Sequence, residues 1–136
     1  MKKPPEEEGM RWLDQATEDL ITARILFENE RFYMVCYAAQ QVAEKALKAY
    51  LYYRGEEIVT GHSIEELCKW AEEYDAGFAK LKGDIAILDG YYLPTRYPNA
   101  LAASIPARIY NKKAGRDTLD LAEKTVEFVR KKMNRG

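Results

Sequence analysis

Apolar residues recur at alternating steps of three and four along nearly the whole chain, which is the spacing of one face of an α-helix. No stretch alternates strictly between apolar and polar residues, as a half-buried strand does. The pattern therefore predicts an all-α protein. The predicted helices run from residue 10 to a break at 28–31, from 31 to 53, from 64 to about 74, from 78 to 91 and from 112 to 133.

Start and stop signals support these boundaries. Ser63 and Glu66 have the spacing of a capping box at the start of the third helix. Gly55 and Gly77 are typical helix ends, and prolines in the segment 93–110 predict that it is irregular. Because the connections are short, successive helices are expected to be antiparallel neighbours. The chain thus predicts a five-helix, up-and-down bundle of the four-helix type.

The second predicted helix carries apolar residues on two neighbouring stripes, which indicates that it is contacted on two sides. A narrow polar stripe remains, and we expect it to be an exposed face with a Glu44–Lys48 pair. Gln40 lies closer to the apolar stripes, so it is expected to need a buried hydrogen-bond partner. The members of the polar stripe are Gln41, Glu44, Lys45 and Lys48.

A length of 136 residues, with 47% hydrophobic and 32% charged residues, fits one globular domain. We expect a flexible N-terminal lead-in at 1–9 and a single helical domain at 10–136. The formal net charge of −1 gives the protein no overall attraction to nucleic acid or to an anionic membrane.

The two cysteines, Cys36 and Cys68, both lie in apolar helical patterns and lack metal-site spacing, which favours buried thiols in a reducing compartment. The N-terminal sequence MKKPPEEEG has no apolar core of a secretory signal, and no apolar run approaches the ~20 residues that span a bilayer. We therefore expect a cytoplasmic protein with no membrane association.

Positive charge is concentrated locally in the segment 93–116, which contains five basic residues and no acidic one. Tyr91, Tyr92, Tyr97 and Tyr110 are interleaved with them. Guanidinium groups pair with phosphates and tyrosine rings stack on bases, so one interpretation is a phosphate or nucleotide site. The other is a solvated linker whose tyrosines pack on the bundle. The basic residues are Arg96, Arg108, Lys112, Lys113 and Arg116.

His62, the only histidine, lies just ahead of a predicted helix N-terminus. There it could hold a phosphate or transfer a proton, or it could simply bond to a neighbouring loop. One histidine and two distant cysteines do not form a metal-ligand set, and the glycine-rich nucleotide motifs are absent. We therefore predict no metal and no cofactor.

Three stretches together resemble the prokaryotic HEPN domain family, over about residues 10–133. They are YAAQQVAEKALKAYL at 37–51, GHSIEEL at 61–67 and LPTRYPNA at 93–100. The resemblance implies a five-helix bundle that forms a homodimer and is paired with a minimal nucleotidyltransferase, a small separate protein. It also implies that the dimer cleft binds a nucleotide or RNA. Many HEPN proteins are metal-independent ribonucleases of toxin–antitoxin systems.

Those ribonucleases carry an arginine followed four to six residues later by a histidine, and this chain has no such pair after Arg96 or Arg108. Its TRYP segment is therefore interpreted as the binding form of the fold, with no catalytic residues. We expect Arg96 to be a phosphate clamp on a turn stiffened by two prolines, and Tyr97 a stacking surface. The other site residues are expected to be Thr95, His62 and Lys45. The alternatives are a ribonuclease toxin with unusual catalytic groups and a purely structural interaction module.

Overall fold

Every regular element in the described part of the chain is a helix, as the apolar spacing predicts. The computed structural model describes residues 3–92, 95–98, 101 and 103–134. A 3₁₀ segment at Ala86–Tyr91 follows the fourth helix. The α-helices are α1 (Pro5–Glu28), α2 (Phe32–Tyr53), α3 (Ile64–Glu72), α4 (Gly77–Ile85), α5 (Pro106–Ile109) and α6 (Lys112–Asn134).

Helix α1 begins at Pro5, so residues 5–9 of the expected lead-in belong to the helix instead. Proline is tolerated at the first helical position because its missing N–H has no intrahelical partner there. The glutamates at 6–8 favour the positive end of the helix. Gly9 is buried against α2, and a Cβ there would lie 2.7 Å from Cβ of Tyr53. Packing of this first turn thus depends on glycine.

Helix α2 lies at the centre of the bundle and contacts α1, α3, α5, α6 and the 3₁₀ segment. Its small residues Ala39, Ala43 and Ala46 are fully buried, which lets neighbouring helices approach closely. The prediction of a helix contacted on two sides is confirmed.

The turn between α1 and α2 requires a left-handed residue, and Glu30 occupies that position with φ 59°. At the end of α2, Gly55 has φ 105° and its N–H donates to Tyr52 O, while Glu56 N donates to Leu51 O. This is the Schellman arrangement, and it confirms Gly55 as a stop.

Two expectations for the segment 78–110 differ from the structure. The fourth α-helix ends at Ile85, and the chain continues to Tyr91 in the tighter 3₁₀ form. Pro106 does not break a helix but starts α5, because it occupies the first helical position.

Both cysteines are free and buried, as predicted. Burial raises the pKa of the Cys36 thiol to about 11 and that of the Cys68 thiol to about 12. None of the described helices is long and apolar enough to cross a membrane.

Candidate anion-binding site

Arg96 lies among three tyrosine rings, here called the Arg96 cage. Its Cζ is 4.7 Å from the ring centroids of Tyr37 and Tyr92 and 5.1 Å from that of Tyr97. All three distances are in the cation–π range. Its Nε donates a hydrogen bond of 3.0 Å to Tyr92 O. Among the described residues no carboxylate pairs with Arg96, and none of them accepts a second hydrogen bond from its guanidinium, which has five N–H donors.

The cage brings together residues from distant parts of the sequence. Tyr37 comes from the second turn of α2, Tyr92 follows the 3₁₀ segment, and Tyr97 is the neighbour of Arg96. Thr95 is fully buried, and its Oγ1 donates a hydrogen bond of 2.5 Å to Tyr91 O. Its hydroxyl therefore links Thr95 to the end of the 3₁₀ segment. Pro94, one of the two prolines expected to stiffen this turn, lies outside the described residues.

His62 reaches the cage from the connection between α2 and α3. Its ring stacks on that of Tyr92, with centroids 5.0 Å apart and planes 17° apart, and its side chain is 60% exposed. Arg96 and His62 both contact the Tyr92 ring, so two of the predicted site residues pack on the same aromatic side chain.

Glu44 and Lys48 are buried, so the expectation that their stripe is an exposed face is wrong for these two residues. Their predicted pair is present, with Lys48 Nζ 3.1 Å from Glu44 Oε2. Both carboxylate oxygens of Glu44 lie 3.2 Å from Nδ1 of His62. Gln40, which is fully buried, donates to the backbone oxygen of His62 at 3.1 Å, and this gives it the partner it was expected to need. The loop carrying His62 therefore covers this face of α2.

The positive end of α3 already holds an anion, the side chain of Asp89. Its oxygens accept hydrogen bonds from Ser63 Oγ at 3.0 Å and from the N–H of Ile64 at 2.5 Å. Ser63 in turn accepts from Glu66 N at 3.1 Å, which confirms the predicted cap. A groove of about 280 Å³ remains beside His62. It is lined by His62, Ser63, Asp89 and Tyr92.

Lys45 is neutralised, since its Nζ lies 2.5 Å from Oδ2 of Asp19 on α1. It lines a groove of about 250 Å³ between α1 and α2, to which Tyr37 and Gln41 also contribute. Lys45 thus reaches a cleft that adjoins the Arg96 cage, but its charge is already matched.

The remaining residues of the cationic segment do not gather at the cage. Arg116 covers the ring of Phe27 at 4.8 Å, Lys113 pairs with Asp117, and Arg108 is exposed on α5. Tyr110 packs near the ring of Tyr91, and burial raises the pKa of its hydroxyl. For these residues the interpretation as a linker that packs on the bundle describes the structure better.

Sequence reasoning missed two contributors to the site, Tyr37 and Glu44, and it named Tyr92 only as one of the tyrosines of the cationic segment. Glu44 was assigned only to a surface pair. One signal for the burial of Glu44 was available in the sequence, because its helix carries apolar residues on most of its circumference. Among the residues that the structure describes, no group of histidine, cysteine and acidic side chains could hold a metal ion.

A family model and one of the similar solved structures name the same family. The HEPN domain family model matches residues 10–132. The crystal structure of TT1696 from Thermus thermophilus is similar with a TM-score of 0.85 and 38% identity, over 92% of this chain and 98% of that chain. The crystal structure of ST0689, an archaeal HEPN homologue, has a TM-score of 0.73 and 27% identity, over 98% and 99% of the two chains. A comparison with curated proteins found no match.

Proposed function

The chain belongs to the HEPN domain family, and from this premise we propose that it is a cytoplasmic protein that binds a nucleotide or a nucleic-acid phosphate at the Arg96 cage. The observation that carries the proposal is the guanidinium of Arg96, which is fixed by three rings and opposed by no carboxylate of the described chain. Four N–H donors remain for a phosphate, and the Tyr97 side chain, 48% exposed, offers a ring on which a base can stack.

The tyrosine rings around Arg96 also lower the entropy cost of binding a ligand. A free arginine side chain loses rotamer freedom when it binds, whereas one already packed on aromatic faces loses less. The N–H groups of a guanidinium point outward in its plane, where they can form paired hydrogen bonds with phosphate.

Replacing Arg96 with glutamine is expected to weaken binding of ATP, GTP or short RNA at least about tenfold, since a charge-assisted contact is lost. Isothermal titration calorimetry measures this at low and moderate salt, and salt should weaken the wild-type affinity. The matched control is Arg108→Gln, because Arg108 belongs to the same cationic segment but is exposed on α5, outside the cage. The proposal fails if no ligand binds more tightly than about millimolar, or if both variants bind like the wild type.

A second candidate function is metal-independent ribonuclease activity. The observation that favours it is that His62 and Arg96 both contact the Tyr92 ring, although the sequence motif is absent. Histidine can transfer protons and arginine can stabilise charge on the phosphate. This candidate requires RNA fragments in the presence of EDTA, and their loss in both His62→Gln and Arg96→Gln. Intact RNA leaves binding alone as the function.

The proposal includes a homodimer formed through α1 and α2, paired with a separate minimal nucleotidyltransferase. Ile21 and Ile25 on α1 are 43% and 54% exposed, and Trp12 and Tyr37 are only half-buried. Apolar surface of this kind is typical of an interface. Light scattering at micromolar concentration should give twice the monomer mass of 15.7 kDa. A monomer would contradict the dimer, and failure to co-purify with the nucleotidyltransferase would contradict that partnership.

A further inference from the structure

The carboxylate of Asp89 joins the 3₁₀ segment to the first turn of α3. Its Oδ1 accepts a hydrogen bond of 2.5 Å from the N–H of Ile64. Its Oδ2 accepts from Ser63 Oγ at 3.0 Å and from the N–H of Glu65 at 3.1 Å. The N–H groups at the start of a helix have no partner within the helix and favour a negative charge. Three hydrogen bonds therefore hold the 3₁₀ segment against α3.

Leu88, the residue before Asp89, gives the 3₁₀ segment a second anchor. Its side chain is fully buried in the core, and the segment contacts α2, α3 and α4. Burial of an apolar side chain is not directional, so by itself it does not fix how the segment is turned. Hydrogen bonds are directional, and those of Asp89 supply this orientation.

The end of the 3₁₀ segment supports the turn that carries Arg96. Tyr91 O accepts a hydrogen bond of 2.5 Å from Thr95 Oγ1, and Tyr92 O accepts one of 3.0 Å from Arg96 Nε. Thr95 is fully buried, so its hydroxyl needs this partner within the protein. Tyr92 also contributes a ring to the Arg96 cage. The place of Arg96 thus depends on where the backbone oxygens of residues 91 and 92 lie.

We propose that Asp89 and Thr95 are positioning residues of the Arg96 cage. Asp89 fixes the 3₁₀ segment on α3, and Thr95 fixes the turn that carries Arg96 on the end of that segment. Neither residue is assigned a contact with the ligand, so Thr95 acts through the main chain and not by binding phosphate itself. The inference rests on the proposed function, and it explains what keeps the guanidinium in one place without an acidic partner in the described chain.

A loosened cage should bind its ligand more weakly even though every group that touches the ligand is still present. The apparent affinity of a site falls with the fraction of molecules in which the site is assembled. In the assembled cage the Nε–H of Arg96 donates to Tyr92 O, which protects it from exchange with solvent. The exchange rate of this N–H therefore reports the assembled fraction in the protein without ligand.

The experiment uses the full chain with Asp89→Asn or Thr95→Val, two changes that nearly keep the side-chain size. The first removes the charge and one acceptor oxygen, and the second removes the hydroxyl. Each should weaken ATP binding at least about threefold in calorimetric titrations and speed solvent exchange of the Arg96 Nε–H in NMR spectra by a similar factor. The Nε–H of Arg108, which is exposed on α5, should exchange as in the wild type. Thr95→Ser keeps the hydroxyl and should restore both values to within about twofold of the wild type.

Val129→Ala is the control for a general loss of stability, because Val129 is fully buried on α6. It should unfold at lower urea concentration than the wild type, yet bind ATP and exchange the Arg96 Nε–H as the wild type does. Equal changes in Val129→Ala and Asp89→Asn would overturn the positioning role of Asp89.

Wild-type ATP affinity and wild-type exchange in both Asp89→Asn and Thr95→Val would overturn the inference and leave the proposed function intact. Absence of ATP binding by the wild type would instead contradict the proposed function. The exchange rates would then still decide the positioning roles, since they are measured without ligand. Faster exchange of the Arg96 Nε–H in both variants would support these roles, and unchanged exchange would overturn them.

Discussion

Replacing Glu44 with glutamine alone is expected to lower the free energy of unfolding by about 3–5 kcal/mol, because it leaves a buried charge without its partner. The side chain of Lys48 is only 9% exposed, and its Nζ donates to Glu44 Oε2 at 3.1 Å. The ring of Trp12, 6.0 Å from Nζ, is too weak a partner to replace a carboxylate. Urea denaturation followed by circular dichroism measures the loss.

The matched control adds Lys48→Met to Glu44→Gln. Since the pair is then removed as a unit, most of the lost stability should return, because the cost of one partner's removal comes from the unpaired charge that remains. A single variant as stable as the wild type would contradict the burial of this pair. So would a double variant less stable than the single one.

The helix period explains why the burial of Glu44 and Lys48 was not predicted from the sequence. Glu44 and Lys48 are four residues apart, which is equally the spacing of an ion pair on an exposed helix face. Their burial depends on the loop that carries His62 and on the neighbouring helices. The spacing of residues along α2 does not reveal either of these contacts. By contrast, the apolar stripes, the Ser63 cap and the Gly55 stop depend on nearby residues and were predictable.

The candidate site was predictable in part for the same reason. Arg96 and Tyr97 could be singled out because a basic, aromatic segment without acidic residues contrasts with the rest of the chain. The cage around them was not predictable, since Tyr37 and Tyr92 meet only after α2 has packed against the 3₁₀ segment. Chain topology decides which aromatic residues become neighbours.

Phe78→Ala should cost about 3–5 kcal/mol of stability, because a fully buried aromatic ring is replaced by a cavity. Phe78 is 0% exposed at the start of α4. Its ring centroid lies 4.5 Å from that of Tyr50 on α2 and 4.9 Å from that of Phe128 on α6, where the planes cross at 76°. This one side chain therefore joins three helices, and guanidinium denaturation measures the effect of its removal.

Two further variants serve as controls for Phe78→Ala. Phe78→Leu keeps most of the volume and should cost clearly less, while Ile87→Ala, at a residue 66% exposed, should stay within about 0.5 kcal/mol of the wild type. Equal effects of Phe78→Ala and Ile87→Ala would contradict the position assigned to α4.

The central claim is that Arg96, held by tyrosine rings and free of an acidic partner in the described chain, is the point where the anion binds. The most direct measurement is NMR of the arginine Nε–H signals during an ATP titration, with Arg96 assigned from the Arg96→Gln spectrum. The Arg96 signal should move saturably, together with the ring signals of His62 and Tyr97, while that of Arg108 stays in place. Saturable ATP binding that leaves the Arg96 signal unmoved would contradict the claim.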